Sequence, residues 1–179
     1  AELLPLSSPR FEAGPPGIEA IELARVVDRG LRESKALDLK ALCIKKGEHV
    51  WAVSVDVCTI NDAGNLVDAA GLAAIAALQD AVLPSYDGIE VNYKDKTGEK
   101  LPLSKTPIPV TVFKIGKHFI VDPLQEEMEC YDSRLTVTST ADGTICSLQK
   151  GGDAALTIED VGKMIDLSMT HAELMRNKL

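Results

Sequence analysis

Three groups of residues in this 179-residue chain are of types that could do chemistry. The first is a tight turn, Asn61-Asp62-Ala63-Gly64, between an alternating, valine-rich stretch at 50–59 and an apolar run that starts at Val67. Glycine gives the turn its conformational freedom, and the small residues at 71–78 let a helix lie close to a sheet. Strand, tight turn and small-residue helix are the backbone of a phosphate site, yet this turn carries no cation. The second group is Asp122, Glu126, Glu127 and Glu129 in IVDPLQEEMEC. Paired carboxylates can bind a divalent metal or serve as general acid and base. The same residues also read as an Asp-Pro turn followed by a solvated helix start, where negative charge suits the helix dipole. The third group is Arg25, Arg29 and Arg32, at i, i+4 and i+7 on one face of a helical pattern. Such a row can track successive phosphates without reading sequence. It is equally a pattern of surface ion pairs, with Asp28 three residues from Arg25 and four from Arg32, and Glu33 four from Arg29.

The elements that position these groups follow from punctuation and periodicity. Pro5, Pro9, Pro15 and Pro16 keep the opening segment extended, and a helix starts after Gly17, with Ile21, Ala24, Val27 and Leu31 at helical spacing. A strand is expected over 50–59 and a nearly all-apolar helix over 67–83. The polar stretch 84–107 holds the turn signals Asp87-Gly88 and Thr97-Gly98 and reads as a surface loop or hairpin. Strands follow at 109–115 and 118–122 around Gly116, then at 134–139 and 144–149 around the Ala141-Asp142-Gly143 turn. Thr157 caps a last helix with Asp160 three residues on. Helix, strand, helix, several strands and helix predict an α+β fold with helices on one side of a mixed sheet.

The whole chain bounds what these elements can do. Its length fits one domain, residues 1–179, and 45% hydrophobic with 26% charged residues marks a globular protein. No apolar run reaches the roughly 18 residues of a spanning helix, which points to the cytoplasm rather than a membrane. Cys43, Cys58, Cys130 and Cys146 form no C-x-x-C pair and read as reduced, buried small residues; His49, His118 and His171 belong to no ligand motif. No metal or cofactor is therefore expected. Trp51, Phe113 and Phe119 read as core or interface residues. A net charge of −8 should repel a polyanion, so any RNA contact must be local or shared with a more basic partner.

The strand, turn and helix at 53–78 resemble the ribonuclease PH family of phosphorolytic 3′→5′ exoribonucleases, whose turn reads D-G-G-T-R-T-A. Asp62, Ala63, Gly64, Asn65, Leu66, Val67 and Asp68 stand at those positions. The resemblance puts Leu66 where the family has its phosphate-binding arginine and Asn65 and Val67 where it has threonines, so a phosphate would meet Asp68 instead. Glu22, Arg25, Arg29, Leu31 and Arg32 fit the family's E-x-x-R-x-x-x-R-x-L-R helix, whose arginines face the RNA path. Asp122 matches the first acid of the family's catalytic pair, but the second falls on Met128, and a thioether cannot move that proton. The degenerate turn is most similar to the non-catalytic ring-subunit branch of the archaeal exosome. The resemblance implies no catalytic residues here, an alternating hexamer with a catalytic ribonuclease PH-like sister subunit, RNA-binding cap proteins, and RNA bound through Arg25, Arg29 and Arg32. It also implies that the family's leading β-rich section precedes this chain, leaving a sheet edge to cover. The rival readings are an active exoribonuclease using the Asp122 cluster and a stand-alone acidic binding domain.

Overall fold

The computed structural model describes residues 1–179. Its centre is a four-stranded antiparallel sheet in the order β6-β5-β7-β8, formed by β5 (Ile108–Ile115), β6 (His118–Val121), β7 (Ser133–Ser139) and β8 (Ile145–Gly151). Side chains alternate across β7 and sort its environment. Leu135 and Val137, with Val112 of β5, pack under Met164 of α4 (Ile158–Arg176). Arg134 and Thr138 point the other way, to α1 (Ile18–Glu33): Arg134 bonds Glu22, and a Cβ on Gly30 would come within 3.0 Å of a Thr138 methyl. Helices therefore cover both faces, where one face was expected. Thr136 pairs with Thr111 and Arg134 with Glu22, which offsets part of the cost of sealing this polar face from water, while the Thr138 hydroxyl is buried without a partner.

α2 (Leu66–Asp80) lies against β5 where β6 has ended. Gly71 makes this approach possible, since a Cβ there would fall 2.1 Å from the Pro109 ring. Ile75 of α2 joins Ile108, Val110 and Ala172 in one buried cluster, so the N-terminal helices and the C-terminal sheet share a core. α4 begins as its sequence predicts: the Thr157 hydroxyl accepts from the Asp160 amide, and the Asp160 carboxylate accepts from the Thr157 amide, each at 3.1 Å. The polar stretch after α2 is a projecting hairpin, β3 (Val82–Tyr86) and β4 (Val91–Lys100), turning at Asp87-Gly88.

The 50–59 stretch departs from expectation. β1 (Cys43–Lys45) pairs only with the two residues of β2 (His49–Val50), and no named strand continues beyond them. Alternation persists, with Trp51, Val53, Val55 and Val57 turned inward and Ala52, Ser54, Asp56 and Cys58 exposed. A ladder does not: the segment is held at its ends, by the Trp51 amide on the Leu42 carbonyl and by Glu2, which donates to the Val57 carbonyl and accepts from the Thr59 amide. The Glu2–Cys58 bridge is the one parallel contact; every named strand pair is antiparallel. The cysteines also correct the expectation of burial. All four are free, Cys43, Cys58 and Cys130 are exposed, and Cys146 is half-buried on the edge strand β8. Cys58 falls on the outward parity of its segment, so the apolar pattern around it does not bury it.

Candidate functional site

The 61–65 turn is built from its own side chains. Asp62 Oδ1 accepts from the Gly64 amide, closing the turn at 3.2 Å. Gly64 has φ +107°, and a Cβ there would meet the Pro123 carbonyl oxygen at 2.5 Å, so only glycine lets the turn press against the 122–128 segment. Asn65 is left-handed at φ +37° and starts α2; its amide donates to Met128 Sδ at 3.0 Å. The two segments singled out by the sequence thus meet. Asn65, Leu66 and Met128 line one cavity of about 220 Å³, together with Arg10, Glu22, Gln125, Tyr131 and Arg134.

Asp122 is not among the lining residues. It sits at the corner after β6 with φ +56°, exposed and without a hydrogen-bond partner for its carboxylate. Glu127 folds back onto the Leu124 amide at 2.8 Å, opening the short α3 (Gln125–Met128), while Glu129 reaches the cavity. Nowhere in the chain do three or more His, Cys, Asp or Glu side chains gather in a way that could hold a metal ion.

Asp68 also differs from its sequence reading. It does not face the cavity, where a phosphate would meet it. It is 5% exposed and turned into the sheet, accepting from the Thr111 amide and Asn65 Nδ2 at 2.8 Å on Oδ2 and from the Thr111 hydroxyl at 2.7 Å on Oδ1. Burial pushes its carboxyl up to about 6, with Asp122 adding to the rise and the three donors opposing it.

Cations are present in the cavity, though not at the positions the sequence suggested. Arg134 lies against Glu22 at 2.6 Å, the side chains 13% and 22% exposed. Arg10 donates to Asp62 at 2.8 Å and to Glu19 at 3.1 Å and stacks over the Phe11 ring. Two arginines therefore face four carboxylates, Glu19, Glu22, Asp62 and Glu129, leaving a formal −2. Sequence reasoning missed this, since Arg134 is 112 positions from Glu22 and Arg10 is 52 from Asp62. One signal was available: an arginine at 134 shares strand parity with Thr136 and Thr138, a polar stripe that needs a polar neighbour.

The arginine row is elsewhere, on the exposed side of α1. Arg25 and Arg29 border a groove of about 330 Å³ against Cys146, Ser147 and Gln149 of β8, while Arg32, on the same face of α1, borders the groove on the helix's other flank. Arg29 pairs with Glu33 at 3.0 Å and Arg32 with Asp28 at 2.7 Å; Arg25 has no ion-pair partner.

Residues 1–84 match the 3′ exoribonuclease family, domain 1, and residues 105–171 match domain 2 of the same family. The chain belongs to the 3′ exoribonuclease family. It is 45% identical over 177 residues to the exosome complex component Rrp42 of Methanosarcina acetivorans, covering 98% of this chain and 64% of that protein. The Rrp42 of Thermoplasma acidophilum is 46% identical over 179 residues, covering 99% and 66%. This chain thus spans just under two thirds of the length of these relatives. In three dimensions it is similar to a chain of the Archaeoglobus fulgidus exosome with RNA bound to the active site, with a TM-score of 0.90, 43% identity, and coverage of 99% of this chain and 68% of that one.

Proposed function

We propose that this 3′ exoribonuclease family member is a non-catalytic subunit of a phosphorolytic 3′→5′ exoribonuclease ring. In this reading it alternates with a catalytic ribonuclease PH-like sister in a hexamer in the cytoplasm, completes the sister's active site, and helps hold RNA delivered through cap proteins. The observation that carries the proposal is the state of the turn cavity. A phosphate dianion needs free cations and free amides. Here Leu66 supplies no cation, the Gly64 and Asn65 amides are taken by Asp62 and Met128, and both arginines are paired with carboxylates. The likeness to Rrp42 proteins and to a chain of an RNA-bearing exosome supports placing the chain in such an assembly.

The same reading assigns the RNA contact to Arg25, Arg29 and Arg32. Their partners, where they have any, are exposed carboxylates on the same helix, and a phosphate can displace such pairs at little cost. Native mass spectrometry of the chain mixed with a catalytic sister tests the assembly. Alternating hetero-oligomers are expected; two species that never associate would refute the ring role.

A further inference from the structure

Asp68 is a buried carboxyl that the proposed function does not use, and its surroundings are unusual for an acid. Buried carboxylates are paired with cations as a rule, yet Asp68 has no ion-pair partner. The charged group acting on it is Asp122, of the same sign, from the corner after β6. The cations on neighbouring elements are engaged: Lys114 of β5 by Asp160, Arg134 of β7 by Glu22, and Arg10 by Asp62 of the turn. On α2 itself the other charged residue is Asp80, at the far end.

Its hydrogen bonds take the place of a sheet ladder. β6 pairs with β5 as far as Val121 opposite Val112, and the next residue, Asp122, turns away with positive φ. At Thr111 the Asp68 carboxyl accepts the amide instead, and its third donor, Asn65 Nδ2, belongs to the turn. One side chain thus ties α2, β5 and the 61–65 turn together.

The network accommodates a proton without losing a bond. Ionised, Oδ1 accepts the Thr111 hydroxyl, which accepts from the Thr136 hydroxyl. With a proton on Oδ1, the carboxyl donates to Thr111 Oγ1, and the Thr111 hydroxyl turns to donate to Thr136 Oγ1. The Thr111–Thr136 contact of 2.8 Å permits either direction, and Oδ2 keeps both N–H donors throughout. The two forms differ in charge and in the direction of the hydroxyl chain: the neutral one turns the Thr136 proton away from Thr111, and the ionised one leaves an unpaired negative charge in the interior.

We propose that Asp68 is a proton-operated pin, firm when the carboxyl is neutral and weakened when it ionises, so that the junction of α2, β5 and the turn responds to mild changes of pH. Burial raises the carboxyl to about 6 from an ordinary carboxylate value. A group whose folded-state value lies above its unfolded one adds stability that is complete below the unfolded value and disappears as pH rises through the folded one. The window here runs from about pH 4 to about pH 6, over which the folding constant should fall roughly a hundredfold on account of this one group.

The test is NMR on the intact chain, following the Asp68 carboxyl carbon and the Thr111 amide from pH 3.5 to 8. Both should move together with a midpoint above 5; a midpoint at or below 5 overturns the pin. Asp68→Asn, which keeps the shape and removes the titration, should flatten the fall in folding constant between pH 4 and 7, measured by urea unfolding. Equal pH dependence of the two chains also overturns the proposal. Should Asp68→Asn fail to fold, the carboxyl titration of the unaltered chain decides alone.

Discussion

Arg10 and Arg134 sit in the turn cavity with their charge met by Asp62, Glu19 and Glu22, whereas on the exposed face of α1 Arg29 and Arg32 pair with exposed carboxylates of the same helix and Arg25 with none. The contrast is sharpest between Arg134–Glu22 and the pairs of α1, since Arg10 is itself 38% exposed and is held by two carboxylates at once. Arg134–Glu22 at 2.6 Å is mostly sealed from water, so separating the partners leaves a charge with no substitute ligand. Arg29–Glu33 at 3.0 Å has side chains 48% and 41% exposed, and solvent replaces either partner readily. A polyanion competes easily for the second kind of cation and poorly for the first. That contrast is what favours α1 over the cavity for the proposed RNA contact.

The largest effect should come from breaking the sealed pair. Glu22→Ala strands Arg134 and should lower stability by about 2–3 kcal/mol, slightly below the range for a pair wholly removed from water. Urea unfolding measures it, and a loss under about 1 kcal/mol would place this pair in the same class as those on α1. Next is the arginine row. Replacing Arg25, Arg29 and Arg32 together with Gln should leave the assembled complex intact while flattening its salt dependence for single-stranded RNA by about 2 in the log–log slope, near 0.7 for each phosphate no longer neutralised. An unchanged slope would return the row to surface pairing. The smallest effect is expected from Glu33→Gln, which frees Arg29: stability should change by about 0.5 kcal/mol or less.

Local punctuation carried much of this into the sequence. The Thr157 and Asp160 cap, the hairpin at Ala141-Asp142-Gly143 and the turn closed by Asp62 and Gly64 are short-range features, and each lies where its residues predict. The meeting of Asn65 and Leu66 with Met128 was legible through the family pattern rather than through periodicity. Alternation at 51–57 reported correctly which side chains turn inward, but alternation says nothing of a neighbouring strand, and the ladder expected there is absent. The same parity would have exposed Cys58 had it been applied residue by residue. Asp68 misled for a different reason: its place in the turn motif suggested a ligand-facing group, while its side chain answers to Thr111, 43 positions away. Partners that distant in sequence leave no local trace.

The central claim is that the turn cavity cannot handle phosphate, and its most direct test is a phosphorolysis assay. The purified chain, supplied with single-stranded RNA, inorganic phosphate and Mg²⁺, should release no nucleoside diphosphate above a blank, and adding a catalytic sister with its own site intact should restore release. Phosphate-dependent release by this chain alone, abolished by Asp122→Ala, would contradict the account.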